Sequence, residues 1–496
     1  MNQRTSRRIV LFQPAHRFGG AVQPRVELPQ GLLAIGTPLD RAGYDVRIID
    51  QRLESRWREL LLEELRREPV CVGVTSMTGP QIRSALEASR LVKQHSSVPV
   101  VWGGIHPTLM PEQTLRHEHI DLVVQGEGEE TFFELVQALE TGAPLGGVRG
   151  VWYKPDGTPR STGPRPLIDL NVQPFPAYHL VDIRNYMPLI SGIPHLSLET
   201  SRGCPFHCQY CYNTAAYHST WRALSVEETV RRLQRIVNEY GIRHFIFTDD
   251  NFFGKKERAL AIFRQLKELN LGIDCAKVDG HSAVLTALSD AELQILRDGG
   301  CTRLMIGIES ASPRILGLLN KPQDIPAIVR FNRRLARFDI RPHYFFMMGI
   351  PTETQEELAQ TVDLFLQLAA DNPAAVPRLN VFTPFPGMAD FDLAVQHGLK
   401  VPAALEEWVS FNFSTVNRYA PWLSADQKSL IRMLHFTSAL AIRNNFVTPY
   451  KKTHWLVRLL ASIYYPLAYL RVKKRFHQFP LEVKLAQWTG VYPHQA

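Results

Sequence analysis

The sequence predicts an α/β protein with a doubly wound, Rossmann-like (flavodoxin-like) parallel-sheet domain, then a partial (β/α)6 barrel, then a mainly helical C-terminal region. Three observations lead there. Short Val- and Ile-rich runs alternate with helical stretches through the first 140 residues, a second series of alternations begins near residue 195, and the pattern ends near residue 400. A chain of 496 residues exceeds one ordinary core, and 45% hydrophobic, 10% aromatic and 21% charged residues describe globular domains, excluding a largely disordered or collagen-like chain. The expected divisions are 1–141 for the first domain, 142–194 for a Pro- and Gly-rich connector, 195–400 for the barrel and 401–496 for the C-terminal region.

In the first domain, strands are expected at 8–13, 44–50, 70–75, 98–102 and 120–125, separated by helices around 31–41, 56–67, 81–94, 111–117 and 129–139. Apolar runs without alternation suit parallel strands buried on both faces. Ligands of such sheets sit outside the carboxyl ends of the strands, so the turns there are the candidate binding loops. They read TSMTGP (75–80), GGIHPT (103–108) and GEGEE (126–130). Gly103, Gly104, Gly126 and Gly128 let backbone approach a large flat ligand, while Ser76, Thr78 and Thr108 offer hydroxyls to amide groups. His106 and Glu127 lie in the same turns and complete the candidate set. Such glycines also make ordinary tight turns. No GxGxxG follows the first strand, which disfavours a dinucleotide.

The second series has strands expected at 195–200, 244–248, 273–278, 303–308, 343–348 and 378–383, with helices at 226–239, 256–269, 290–298 and 356–369. Barrel chemistry belongs at the carboxyl ends of strands, and the segments there are polar: TDDNFF (248–253), GIESAS (307–312) and MGIPTET (348–354). Directly after the first of these strands comes Cys204-x3-Cys208-x2-Cys211, with Tyr210 before the last cysteine. Three thiolates on one short loop suit three irons of a 4Fe-4S cluster with the fourth iron open, whereas zinc sites take four ligands in paired spacings. Cys71, Cys275 and Cys301 fall in or beside predicted elements and read as buried structural thiols.

Lys plus Arg number 56 against 48 for Asp plus Glu, a formal charge of +8. The excess is local, because residues 428–496 hold eleven basic side chains and one acid, Glu482. A near-neutral body argues against nucleic-acid binding. The apolar run Ile9 to Phe12 is far shorter than a signal-peptide core, so a cytoplasmic location is expected, at most peripheral at the inner membrane surface.

The cysteine motif with its aromatic residue resembles the signature of the radical SAM superfamily. PQGLLAIGTPLDRAGYDVRIID, GGIHPTLMPE and DLVVQGEGEE, in that order, resemble the cobalamin-binding domain that precedes the barrel in one large group of those enzymes. The likeness spans about residues 7 to 400. It implies three cofactors, a 4Fe-4S cluster, S-adenosyl-L-methionine (SAM) and cobalamin, with Cys204, Cys208 and Cys211 on iron. It also implies SAM contacts at Asp249 and Asp250, where many members have Gly-Gly-Glu, and at Glu309. Paired acids at a strand end also serve as helix caps. On the third barrel strand an expected Arg is absent, with Lys277 or His281 as substitutes, and Met388 stands where a Thr is frequent. Many cobalamin domains carry Asp-x-His-x-x-Gly after the first strand. Here the loop is Pro14-Ala15-His16-Arg17-Phe18-Gly19, without the carboxylate that would orient a ligating imidazole. Cobalamin bound without a His ligand from this loop is therefore expected.

The resemblance implies reductive cleavage of SAM to a carbon radical and methyl transfer through cobalamin to an unactivated carbon of a small-molecule or lipid-like substrate. It also implies an external low-potential electron donor of flavodoxin or ferredoxin type. A cyclase or rearrangement enzyme using cobalamin without net methyl transfer is the second reading, and a non-catalytic iron-sulfur binding protein the third. In the tail, residues 454–476 are apolar with a basic end, interrupted by Arg458 and Pro466 and too short for a confident membrane span. Trp455, Tyr464, Tyr465 and Tyr469 beside Arg471, Lys473, Lys474 and Arg475 suit peripheral membrane contact, or else a cap packed on the barrel with its charges solvated.

Overall fold

The computed structural model describes residues 7–16, 26–190, 192–411, 420–442 and 455–478, with only the backbone described at 455–458 and 460. The chain divides into two compact units. The first comprises residues through Met187 with 385–387 and 401–412, and the second comprises 188–384, 388–400 and 413 onward.

In the first unit, strands β1 (Arg8–Gln13), β2 (Asp45–Asp50), β3 (Cys71–Thr75), β4 (Val100–Gly103) and β5 (Leu122–Val124) run parallel in the order β2-β1-β3-β4-β5. That is the flavodoxin-like order, whose ligand crevice lies where the order reverses, at the ends of β1 and β3. Ile9, Val10, Leu11, Val72, Val100 and Val123 are fully buried, which explains the unbroken apolar runs.

The stretch expected as a connector, 142–194, lies in this unit as far as Met187 and adds two short strands to its sheet. Strand β6 (Val151–Tyr153) pairs antiparallel with β5, and β7 (Arg160–Ser161) with β6. Three-residue and two-residue strands are too short for a periodic signal, and Gly150 just before β6, at φ +84°, reads as linker composition. Residues 401–412, expected in the C-terminal region, also belong to this unit, where Trp408 is fully buried and donates to Gln113 Oε1 at 2.6 Å.

Among the described residues the second unit holds six parallel barrel strands. Leu196–Leu198 pairs with His244–Phe247, which pairs with the third strand, followed by Arg303–Glu309, Arg341–Met348 and Val376–Val381. The third strand, expected at 273–278, is split into Asp274–Cys275 and Val278–Asp279, the first half pairing back and the second forward. Helices between strands start where side chains satisfy open N–H groups: Ser225 accepts from Glu228 N, and Ser289 with Glu292 and Thr354 with Glu357 form capping boxes.

The tail helix, Trp455–Lys474, contains Pro466. No helix among the described residues is long and apolar enough to cross a membrane. Ala468 and Val472 are fully buried, while Leu459, Ile463, Leu467 and Leu470 are 48–67% exposed. Arg471, placed with the solvated basic residues in the sequence reading, is buried and donates to the carbonyls of Phe476 and Gln478. Trp455 lies among the residues whose side chains are not described, and Arg17 to Gly19 of the His16 loop lie outside the described residues.

Candidate active site

The three cysteines occupy the loop between Ser201–Arg202 and the short helix Tyr212–Ala216. Gly203 opens the loop at φ +79°, where a Cβ would stand 2.0 Å from the Thr220 carbonyl, so only glycine fits. Asn251 Nδ2 reaches Cys204 Sγ and Asn213 Nδ2 reaches Cys211 Sγ, both at 3.4 Å. Burial raises all three thiol pKa values, that of Cys211 to about 11, and the asparagine donors oppose burial at Cys204 and Cys211. Such thiols surrender their protons to a metal rather than to water. Three thiols on one short loop fit three irons of a polynuclear cluster with the fourth iron open.

The two predicted SAM aspartates have separate surroundings. Asp249 is 3% exposed and accepts from Thr200 N, Thr200 Oγ1 and Ser201 Oγ. Burial lifts its pKa to about 6, against the pull of Ser201, Thr200 and the Arg258 charge. Its oxygens brace the end of the first barrel strand, a structural role different from the helix cap that paired acids can form. Asp250 is half-buried and accepts from Gly203 N at 2.8 Å and from Tyr212 Oη, which still leaves lone pairs for a ligand amine.

Glu309, at the end of the fourth barrel strand, adopts φ +65° at a register shift. Its Oε1 accepts from Lys321 Nζ at 2.7 Å and Tyr210 Oη at 2.8 Å. Lys321 is 5% exposed and also donates to Tyr210 Oη. Tyr210, from the cysteine motif, packs against Ile315, Leu319, Ile350 and Phe382, which anchors the loop. Lys321 was not singled out in the sequence, since a lysine after a helix end reads as solvated. Of the substitutes for the missing Arg, His281 stacks on Phe206 with centroids 3.6 Å apart and caps the helix Ser282–Thr286. Burial, helped by the Lys321 charge, lowers the His281 pKa to about 3, so it supplies no cation. The Lys277 ammonium lies 3.5 Å from Asp279.

In the first unit, the candidate loops divide into a face and its supports. Gly104 and Gly126 are exposed, at φ +97° and +84°, and a Cβ on Gly126 would meet nothing within 4 Å. Gly103, Thr78 and Thr108 are half-buried. Ser76 and His106 are fully buried and brace the loop: His106 N donates to Ser76 O, and His106 Nδ1 lies 2.9 Å from Thr78 Oγ1. Burial lowers the His106 pKa to about 4, and its buried Nε2 lacks a hydrogen-bond partner. Glu127 is likewise a support, accepting from Ile168 N at 2.9 Å, and a Cβ on Gly128 would press on Ile35 at 2.9 Å. Gln81, which carries no signal in the sequence, joins the loops after β1 and β3, donating to Pro14 O and accepting from Met77 N. Open backbone on a braced floor fits a broad, flat ligand such as a corrin.

Profiles of known families match both units: the B12 binding domain at residues 19–136 and the Radical SAM superfamily at 198–365. An uncharacterised methyltransferase of Pyrococcus horikoshii is 34% identical over 75% of this chain and 79% of its own length. Cytidylyl-2-hydroxyethylphosphonate methyltransferase of Streptomyces wedmorensis is 26% identical, covering 73% of this chain and 77% of the relative. The anaerobic magnesium-protoporphyrin IX monomethyl ester cyclase of Cereibacter sphaeroides is 27% identical, covering 76% and 62%. In fold, the chain matches the radical SAM methyltransferase TsrM of Kitasatospora setae, solved with cobalamin and a [4Fe-4S] cluster, at TM-score 0.66 and 18% identity over 94% of this chain and 99% of that one. With a B12-binding domain, a radical SAM domain and a methyltransferase relative spanning most of both chains, this protein belongs to the cobalamin-dependent radical SAM enzymes.

Proposed function

We propose that the enzyme transfers a methyl group to a carbon without a lone pair, on a small-molecule or lipid-like substrate. The pairing of an intact three-cysteine loop with a braced, glycine-faced B12 domain carries this reading, together with the 34% identity to a methyltransferase. When bound, the cluster and SAM supply a carbon radical and cobalamin supplies a methyl carrier. The chain's own residues hold and shield these groups. Cys204, Cys208 and Cys211 take the irons, and Asn213 and Asn251 donate to two of the sulfurs. Asp250 is positioned by Gly203 N and Tyr212 to accept from the SAM amine. Asp249 fixes the strand end beneath it. The Lys321 and Tyr210 donors hold Glu309 at the strand end for its expected SAM contact. On the B12 domain, Gly103, Gly104, Gly126, Thr78 and Thr108 offer the face, and His106 steadies Thr78.

Anaerobic protein with cobalamin, SAM and a low-potential reductant, assayed for S-adenosylhomocysteine and 5′-deoxyadenosine together, tests the reaction. Cobalamin-dependent S-adenosylhomocysteine is expected. 5′-Deoxyadenosine without it would favour the cyclase reading, which the 27% identity to a cyclase keeps specific. Neither product would leave the non-catalytic iron-sulfur protein. An external flavodoxin- or ferredoxin-type donor completes the scheme. The exposed stripe Leu459, Ile463, Leu467 and Leu470, beside the exposed Lys473 and Lys474, supports peripheral contact with anionic lipid. Flotation with liposomes that ignores anionic lipid content would remove that contact.

A further inference from the structure

The amino ends of the barrel strands carry a side-chain cluster that the chemistry at the opposite ends does not use. Leu196 pairs with Phe245 and His244 with Asp274, so His195, His244 and Asp274 form one row across three adjacent parallel strands. Neighbours in such a row project to the same face. Their ligand atoms all lie within 4.8 Å of one another. The side chain of His195 is 1% exposed, that of Asp274 26% and that of His244 38%, which gives the group a buried floor and one open side.

The hydrogen bonds indicate what belongs there. His195 Nδ1 donates to the Ile193 carbonyl at 2.8 Å, which in a neutral ring leaves a lone pair on Nε2. That atom faces Asp274 Oδ2 at 3.3 Å, and His244 Nδ1 faces the same oxygen at 3.3 Å. Two acceptors held face to face repel unless a proton or a metal cation lies between them. An imidazolium on a carboxylate would close to about 2.7–2.9 Å. A tetrahedral ion with bonds of about 2.0–2.1 Å separates neighbouring ligand atoms by about 3.3 Å instead. The outer partners that orient metal ligands are also present: the Ile193 carbonyl behind His195, and Thr302 Oγ1, which donates to Asp274 Oδ1 at 2.7 Å. We propose that His195 Nε2, His244 Nδ1 and Asp274 Oδ2 bind one divalent cation of the zinc class, with water as fourth ligand. The ion clamps the amino ends of the first three barrel strands.

The test loads the cluster-containing full chain with Zn(II), dialyses it against a weak chelator, and measures zinc and iron in the same sample. One zinc per chain is expected in the wild type. His244→Ala and Asp274→Asn should each lower retained zinc at least tenfold while iron is unchanged. Zinc that dialyses away from the wild type, or is retained equally by the variants, overturns the site. Zinc-edge X-ray absorption on the wild type needs no variant: two imidazoles with oxygen neighbours are expected, and sulfur neighbours would overturn the assignment.

Discussion

The cysteine loop and the glycine-rich loops after β3, β4 and β5 prepare for their cofactors in opposite ways. In the barrel unit the ligating atoms are side chains, and outside groups hold them: Asn213 and Asn251 on sulfur, Tyr210 on Glu309. In the B12 unit the loops expose Gly104 and Gly126, while the conspicuous polar side chains Ser76, His106 and Glu127 are buried and brace them. A covalent metal bond demands particular atoms, whereas a broad ligand held by shape demands mainly the absence of Cβ atoms. The two regions should therefore fail differently when altered.

The largest effect is expected in the barrel. Replacing Cys204, Cys208 or Cys211 by Ala should abolish 5′-deoxyadenosine formation and lower cluster iron, measured by iron analysis and by electron paramagnetic resonance (EPR) of the reduced cluster. In the B12 unit, Gly126→Ala should weaken cobalamin retention and leave iron unchanged, since a Cβ there meets only the open face that a corrin would cover. A loss of iron in that variant would break the comparison.

Next in size is Lys321→Met. It strands Glu309 as a buried carboxylate beside Tyr210, and breaking such a pair costs about 3–5 kcal/mol. Chemical denaturation should read that loss, and Lys321→Met with Glu309→Gln should recover much of it. Recovery of stability without recovery of SAM cleavage would assign Glu309 to the ligand as well as to the fold.

The adjacent aspartates sharpen the contrast within one loop. Asp249→Ala orphans the Thr200 and Ser201 donors, a loss of about 1–3 kcal/mol seen as a lower melting temperature. Asp250→Ala should instead weaken SAM binding about tenfold or more, as loss of a charged hydrogen bond does, measured by calorimetry on cluster-loaded protein. Equal effects of the two substitutions on SAM affinity would erase the division of labour.

Much of the fold was legible because parallel strands buried on both faces must be apolar, and the short Val- and Ile-rich runs around Val72 and Val123 have no other use. The split third strand was not, because Ala276 and Lys277 continue pairing to the second strand, with Ala276 N donating to Phe245 O and Phe247 N to Lys277 O, while the local run looks unbroken. The cysteines announced the cluster loop through their spacing. Lys321 and Gln81 gave no such signal, because burial of a lysine or a glutamine depends on partners distant in the chain, Glu309 and Pro14, and no local pattern encodes that. Asp249 and Asp250 are identical letters whose difference is made by Thr200 on one side and Gly203 on the other.

A smaller effect concerns pH. Glu353, after the fifth barrel strand, accepts from Gly349 N at 2.7 Å, while its Oε1 is buried without a partner. Burial raises its pKa from 4.5 to about 8, so the folded protein favours the protonated acid. The unfolded chain releases that proton first, and stability falls as pH rises from about 4.5 through about 8. Glu353→Gln keeps the acceptor without the titration and should flatten that fall, read as melting temperature against pH. An unchanged slope would mean that the carboxyl is ionised in the folded protein.

The smallest expected effect is at His16, in the loop after β1. The side chain is exposed and follows Pro14 and Ala15, so no carboxylate in the Asp position of the usual motif fixes its tautomer. An exposed side chain pays an entropy of ordering before it can ligate cobalt. His16→Ala should therefore leave both cobalamin retention and the Co(II) EPR spectrum unchanged. Nitrogen splitting present in the wild type and lost in this variant would place a directional side-chain ligand on the B12 face and bring the two cofactor regions under one rule.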